Sequence, residues 1–399
     1  MTMQVLCSKR DAILIILSGS IAFLAISLYT PLLPTLATML NAPMWVVTAV
    51  LMALPLIPTV ILMVPGAILA DTTGRRKEIM IATGIAGIFT NLIHALCRSW
   101  QELVIARIVA GIPGAFMGVG PALLALITPL EKRGTYMALN AGLGSLVSAV
   151  GVAISGTLAV RLGGIASVTY LATAISVLGP LLILPIRAPK IKLPTRFSRR
   201  EAAEVFGNKV ILGIALSMVV YLLGWQMVYS AFPFIVQFQL GMPVEVFTLV
   251  FSVVSFMVGI DTLIWGPIID REGARRSLAI GLGISAIATI AMWASFLSIP
   301  LPILTWVFIA LYYISTFGGV VGPPASMTIA SRSIRFELMT VGMTLVNTAL
   351  FIPAVVSGFL AGGVIAFLGT PTMILISAVL QIIGVISVTL SRYIKVWGC

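Results

Sequence analysis

The sequence predicts an all-α membrane protein with twelve transmembrane helices in two pseudo-symmetric six-helix bundles. Composition is the first observation behind this. Apolar residues make up 60% of the 399 residues, charged residues only 9%, and the mean hydropathy is +1.15. Soluble domains carry roughly 25% charged residues. The second observation is that the apolar residues come in blocks long enough to cross a hydrocarbon core, which takes about 20 residues of helix. The third is an internal repeat at an offset near 200 residues.

The spans are predicted at 12–33, 45–67, 78–98, 102–127, 137–160 and 165–186. After a polar stretch they resume at 210–236, 246–268, 277–297, 303–329, 338–364 and 371–391. They do not alternate polar with apolar residues as barrel strands do. Lys9 and Arg10 before an apolar run imitate a signal peptide, but eleven further spans and no small-residue cleavage pattern favour a first membrane helix.

The net charge of +12 is distributed in a telling way. With the N-terminus in the cytoplasm, 21 of the 24 basic residues fall on inner segments, leaving Arg98, Arg161 and the intrahelical Arg107. That is the positive-inside bias. Charge therefore reports a multi-pass cell-membrane topology with both termini cytoplasmic, and gives no support to a nucleic-acid partner. The three cysteines, Cys7, Cys97 and Cys399, form no plausible pair and no metal-ligand spacing.

The longest polar stretch, 187–209, contains Pro189, Pro194, Arg199 and Arg200 and divides the spans six and six. The expected organisation is a bundle at 1–186, a basic cytoplasmic linker at 187–209 and a second bundle at 210–399. The halves echo one another. Leu40, Asn41, Ala42 and Pro43 answer to Leu240, Gly241, Met242 and Pro243. Asp71, Gly74, Arg75 and Arg76 answer to Asp270, Gly273, Arg275 and Arg276, and Val119, Gly120 and Pro121 to Val321, Gly322 and Pro323. Two related bundles that rock about a shared midplane site are a mechanical reason to expect transport.

The turns after helices 2 and 8 carry the strongest local signal. A carboxylate at a helix end, a Gly that permits a tight turn and two or three cations can form a charged clasp at the inner face. An ordinary basic turn is the bland alternative for a single copy; two copies at matched positions favour the clasp.

At these residues the chain resembles the major facilitator superfamily, over essentially its whole length. The family motif is Gly, three residues, Asp, Arg, one residue, Gly and then basic residues. Gly266, Asp270, Arg271, Gly273, Arg275 and Arg276 follow it. In the first copy Asp71, Gly74, Arg75 and Arg76 match, while the leading Gly is displaced to Gly66, with Ala67 in its place, and Thr72 replaces a basic residue. Arg107 and Gly111 resemble the helix 4 motif, with Ala110 where Gln is usual. Tyr29, Pro31 and Pro34 resemble the end of helix 1 in the drug:proton antiporter branch. Gly151, Val152, Ser155 and Gly156 follow that branch's helix 5 signature without its Pro. The resemblance implies alternating access and links Arg107 to coupling.

Few ionisable groups lie within the spans. Asp261 is nine residues before Asp270, so about 13 Å from the inner end of helix 8. Intramembrane acids are functional by default. One that is neutral when buried and ionised when wet can take up and release a proton. The alternative is a fixed structural partner for a polar neighbour. Arg107 lies about 10 Å below the outer surface, seven residues past Trp100, and can equally pack against carbonyls of helix 1 or helix 5. His94 is expected at the interface. Candidate cavity residues are Tyr29, Tyr221, Trp225, Gln226, Tyr229, Tyr312, Tyr313 and Asn347; aromatic rings with scattered polar groups suit small organic substrates. The pairs Gly114/Gly118 and Gly358/Gly362 are expected to pack helices closely.

No P-loop, metal cluster, nucleophile–base set or selectivity-filter loop stands out. The expectation is a secondary transporter, no enzyme, working as a monomer without a cofactor, on a small organic substrate and protons within a lipid bilayer. Its working form is proton-coupled efflux of small organic or drug-like compounds. Rivals are uptake of a nutrient or movement of a lipid by the same scaffold, supported by the missing helix 5 Pro and the lack of an acid in helix 1. From another class comes a non-transporting sensor, which tails of about ten residues disfavour.

Overall fold

A computed structural model describes residues 9–51, 53–128, 133–188, 207–333 and 339–390. The described residues form helices joined by short turns. Eleven helical stretches among them are long and apolar enough to cross a membrane. The expected twelfth, helix 2, is present as Met44–Ala49 followed by Ala53–Thr73. Met52 lies outside the described residues, and Ala53–Met63 ranks as a shorter apolar helix. Most of the linker and residues 1–8 and 391–399 also lie outside them.

Prolines explain several departures from straight helix. A proline lacks the N–H that would bond back to an earlier carbonyl. Helix 1 runs Lys9–Tyr29, tightens into a 3₁₀ turn at Thr30–Leu32 around Pro31, and resumes at Leu33–Met39. Helix 4 runs Trp100–Gly114, breaks just after Pro113, and continues as Val119–Ile127. Helix 7, Lys209–Phe234, widens after Pro233 into a π turn at Ile235–Gln239. Caps close other ends. Ser99 accepts from Glu102 N–H, and the Glu102 carboxylate reaches back past the cap to accept from Arg98 N–H at 2.7 Å, together fixing the start of helix 4. Asn208 accepts from the N–H groups of Val210 and Ile211.

The repeat seen in the sequence is a repeat of backbone geometry. Asn41 and Gly241 both have positive φ, 53° and 71°. Both turns close onto the preceding helix, Ala42 N–H on the Ala37 carbonyl and, one residue further back because of the π turn, Met242 N–H on that of Val236, both at 3.0 Å. Gly74 and Gly273 end helices 2 and 8 at φ 67° and 84°, with N–H bonds to Ala70 and Ile269, both at 3.1 Å. A residue with a Cβ is strained at such angles, which is why Gly occupies both.

The chain divides into two compact units. The first comprises Met1–Ala42, Leu54–Arg196 and Pro243–Phe256; the second comprises Pro43–Ala53, Phe197–Met242 and Met257–Cys399. In the first unit helix 1 packs on helix 5 (Arg133–Arg161) and on both segments of helix 6, Ile165–Ser176 and Leu178–Ile183. Ala12, Ile15, Ile16, Leu123, Leu124, Ile127 and Ile183 form one buried cluster there. The start of helix 8 (Val244–Glu272) also belongs to this unit, where the Ser252 hydroxyl donates to the Ala149 carbonyl at 2.7 Å.

In the second unit helix 7 packs on helix 11 (Met339–Leu368) and helix 12 (Thr370–Leu390), and helix 9 (Ala274–Ser298) on helix 10 (Leu301–Gly319) and helix 12. The start of helix 2 joins this unit through Thr48, whose hydroxyl donates to the Gly358 carbonyl at 2.6 Å, and Trp45, stacked on Phe359. Gly358 and Gly362 permit that approach: a Cβ on Gly358 would sit 2.9 Å from the Ala49 Cα, and one on Gly362 would collide with Trp45 and Thr48. Gly114 packs similarly against Thr59, whereas Gly118 faces nothing within 4 Å.

Candidate functional site

Three groups of side chains carry the chemistry. The first lies where helices 1, 3 and 4 of the first unit meet. Tyr29, the last residue of helix 1 before its 3₁₀ turn, is buried, and its hydroxyl donates to Asn91 Oδ1 of helix 3 (Arg76–Leu96) at 2.9 Å. One turn along helix 3, His94 packs its ring on Tyr29 at 5.2 Å between centroids. Its Nδ1 lies 2.6 Å from the Thr90 carbonyl, and Nε2 is buried with no hydrogen-bond partner among the described residues. Arg107 of helix 4 is 5% exposed, and its charge acts on both Tyr29 and His94. The sequence brought Tyr29 and Arg107 forward separately; the fold joins them. His94, expected at the interface, is 2% exposed. Its three-residue spacing from Asn91, which puts both on one helical face, was the available signal.

The second group is in the second unit. Asp261 is 1% exposed. Tyr313 of helix 10 donates its hydroxyl to Asp261 Oδ1 at 3.1 Å, while Oδ2 is buried without a partner among the described residues. The adjacent Tyr312 faces the other way, stacked on Phe232 at 3.9 Å. Trp225 stacks on Tyr229 along helix 7, and the carbonyl oxygen of the Gln226 side chain, beside them, has no partner among the described residues. Tyr221 is buried in the core with Met218, Leu278 and Val321. The side chain of Asn347 lies outside the described residues.

Behind these lies a neutral network that no motif announced. The Gln381 side-chain carbonyl is within 3.1 Å of the Ser285 hydroxyl and 3.2 Å of that of Thr289, and Ser285 is 2.9 Å from Ser315. Gln381 Nε2 donates to Ser377, which donates to the Gly224 carbonyl at 2.7 Å. All five side chains are buried.

The third group is the pair of basic turns. Lys77 Nζ donates to the carbonyls of Leu184 and Ile186 at 2.7 and 2.8 Å, closing the C-terminal end of helix 6. Arg275 does the same for the end of helix 12 through the Thr389 carbonyl. Cations suit helix C-termini because the last carbonyls lack partners and carry partial negative charge. Arg76 is buried, Arg75 and Arg271 are exposed, and Arg276 pairs with Glu272 at 2.6 Å on the surface. The side chains of Asp71 and Asp270 lie outside the described residues. Gly266 has open space where a Cβ would stand.

Among the described residues no group of His, Cys, Asp and Glu is arranged to hold a metal. Cys97, between helices 3 and 4, donates to the Ile93 carbonyl, and burial pushes its thiol up to about 11, with Glu102 adding to the effect. It is therefore a thiol at neutral pH.

Comparison with known proteins fixes the family. The model of the Major Facilitator Superfamily matches residues 15–349 and again 214–395. The chain belongs to the Major Facilitator Superfamily. Solved structures with this superfamily's fold include the nucleoside transporter NupG, at 14% identity over 95% of this chain and 98% of that one, with a TM-score of 0.78. A D-xylose-proton symporter matches at 14% identity over 95% and 96% of the two chains, TM-score 0.76. A bacterial homologue of the human lysosomal transporter Spinster, inward-facing and unoccupied, matches at 14% identity over 96% and 95%, TM-score 0.72. At such identities the likeness is one of fold. No protein of curated function matches the sequence.

Proposed function

We propose that this superfamily member is a secondary active transporter of the drug:proton antiporter branch, exporting small organic or drug-like compounds against protons by alternating access. Asp261 carries the reading. It is a buried acid within helix 8, one oxygen held by Tyr313 and the other without a partner among the described residues. A carboxylate so placed is costly while charged and dry. Protonation when enclosed and ionisation when the site opens to water make it a proton carrier. Bundles 1–186 and 210–399, joined by the linker 187–209, are the moving parts, with both termini cytoplasmic. The turns at Asp71 and Asp270 act as the inner gate, and Arg107 holds a fixed charge in the first bundle. The unpartnered side-chain oxygen of Gln226, beside Trp225 and Tyr229 and with Tyr221 on the same helix, marks the cargo contacts of helix 7.

Cells overproducing the protein should accumulate less ethidium than control cells, and a protonophore should erase the difference. Asp261→Asn should abolish gradient-driven transport while sparing gradient-free exchange. Driven transport that persists undiminished in Asp261→Asn rejects the coupling role. Uptake is the second reading, favoured by solved structures named as a nucleoside transporter and a D-xylose-proton symporter. It predicts raised accumulation of labelled nucleoside or xylose in the same cells, with no exclusion of ethidium.

A further inference from the structure

Asp261 and Tyr313 lie on a seam between helix 8 and helix 10 within the second unit. The Tyr313 hydroxyl donates to Asp261 Oδ1 at 3.1 Å. One turn further along both helices, Trp265 Nε1 donates to the Phe317 carbonyl at 2.8 Å, and the two rings lie 5.6 Å apart. Phe317 is in the last turn of helix 10, where carbonyls lack helical N–H partners, so an indole N–H fills a real need. Two rungs at the same four-residue step hold the helices side by side and in register. The other flank of helix 10 is held as well, because Tyr312 stacks on Phe232 at 3.9 Å. The fold thus aims the phenol of Tyr313 at residue 261.

The two oxygens of Asp261 are therefore unequal. Oδ1 is held by Tyr313, and Oδ2 is buried without a partner among the described residues. A proton arriving on Oδ2 leaves the tyrosine bond intact, whereas one arriving on Oδ1 forces the phenol to turn round. A hydrogen bond to a carboxylate also favours its charged form, against the cost of placing that charge in an apolar bundle. We propose that Tyr313 is the positioning residue of the proton site, directing the exchanged proton to Asp261 Oδ2 and making it releasable when the site opens to water. Without a donor at Oδ1 the acid stays loaded through the opening and the cycle stalls. Among the described residues Tyr313 is the titratable or charged side chain found to act on Asp261; helices 7 and 9, which share the buried core around Trp265, supply none. The role rests on reading Asp261 as the proton carrier, though on neither the direction of transport nor the nature of the cargo.

Infrared difference spectra of the full-length protein in lipid nanodiscs follow the proton directly, through the carboxylic-acid carbonyl band that Asp261→Asn removes. Tyr313→Phe keeps the ring and removes the donor. The pH at which that band is half lost should rise by about one unit, the tenfold change in proton affinity that one hydrogen bond to a charged group supplies. The pH profile of driven transport in proteoliposomes should move up with it, a change that loss of a merely structural contact does not produce. Should Tyr313→Phe fail to fold, uniform 3-fluorotyrosine keeps every phenol and makes each a stronger donor; it should move the midpoint down by a few tenths of a unit. A midpoint that stays or falls in Tyr313→Phe, or stays or rises in the fluorinated protein, would overturn the proposal. So would the absence of any titrating band lost in Asp261→Asn. Driven transport abolished in Asp261→Asn with the midpoint unmoved in Tyr313→Phe would sink the positioning role and spare the carrier. Driven transport undiminished in Asp261→Asn, with the midpoint raised in Tyr313→Phe, would sink the coupling reading and leave Tyr313 as the residue that sets the titration of Asp261.

Discussion

The two units solve the same problem, polar groups inside an apolar bundle, in opposite ways. In the second unit the amide of Gln381 gathers the hydroxyls of Ser285, Thr289 and Ser377 into a chain without charge, and most of its polar atoms are satisfied from within. In the first unit a permanent cation, Arg107, acts on an aromatic pair, and the acceptor of His94 is left unfilled. A self-satisfied neutral network ties helices 7, 9, 10 and 12 together and has nothing to exchange with a visitor. A charged cluster with an open valence has the opposite character. The contrast separates architecture from site within a single molecule, even though both assemblies are equally buried. Asp261 falls on the second side of the divide: it lies in the neutral unit yet keeps one oxygen unfilled.

The contrast can be broken most easily at Gln381. Gln381→Leu keeps roughly the same volume and removes the hub. The hydroxyls of Thr289 and Ser377 retain carbonyls of their own, at Ser285 and Gly224, which limits the damage. The expected loss is about 2 kcal/mol, near the top of the range for polar contacts in membrane helices. It should appear as a lowered unfolding midpoint in detergent, with transport per folded molecule unchanged. A variant as stable as the parent would mean that the network is not the architectural element.

How much of this was legible in the sequence follows from the range of each interaction. The helices were readable because a lipid-spanning helix needs an unbroken apolar run, a property of consecutive residues. The repeat was readable because turns are local. Asn41 and Gly241, and Gly74 and Gly273, are residues that tolerate positive φ, and each pair does adopt it. The site was only half readable. Asp261 and Arg107 stand out as charges in apolar runs, but the bond from Tyr29 to Asn91 spans 62 residues and that from Ser285 to Gln381 spans 96. Neither follows from helical periodicity, because serine, glutamine and tyrosine are too ordinary to point at one another. The burial of His94 was not legible either: its position near the end of helix 3 says nothing of the Tyr29 ring that packs on it from helix 1.

A smaller effect tests whether the units, which differ in their interiors, are equivalent at their turns. Gly74→Ala and Gly273→Ala each force a Cβ into a left-handed conformation, at a cost of about 1 kcal/mol. The φ values, 67° and 84°, and the 3.1 Å bonds that close both turns predict nearly equal penalties. Equal midpoint shifts would support a common turn frame beneath two different interiors. A penalty confined to one copy would show that only that turn bears load beyond its own geometry, as a gate would.

The smallest expected effect sharpens the contrast most. His94→Phe keeps an aromatic ring against Tyr29 and removes both ring nitrogens. The Nδ1 bond to the Thr90 carbonyl is lost, which should cost about 1 kcal/mol or less. The unfilled Nε2, whose burial is itself a penalty of comparable size, disappears at the same time. The two changes oppose each other, so the unfolding midpoint should stay within about 0.5 kcal/mol of the parent, far from the Gln381→Leu result. A large destabilisation would place His94 among the structural groups and erase the distinction between the units. A near-zero change is the signature of a group that contributes little to holding the bundle together.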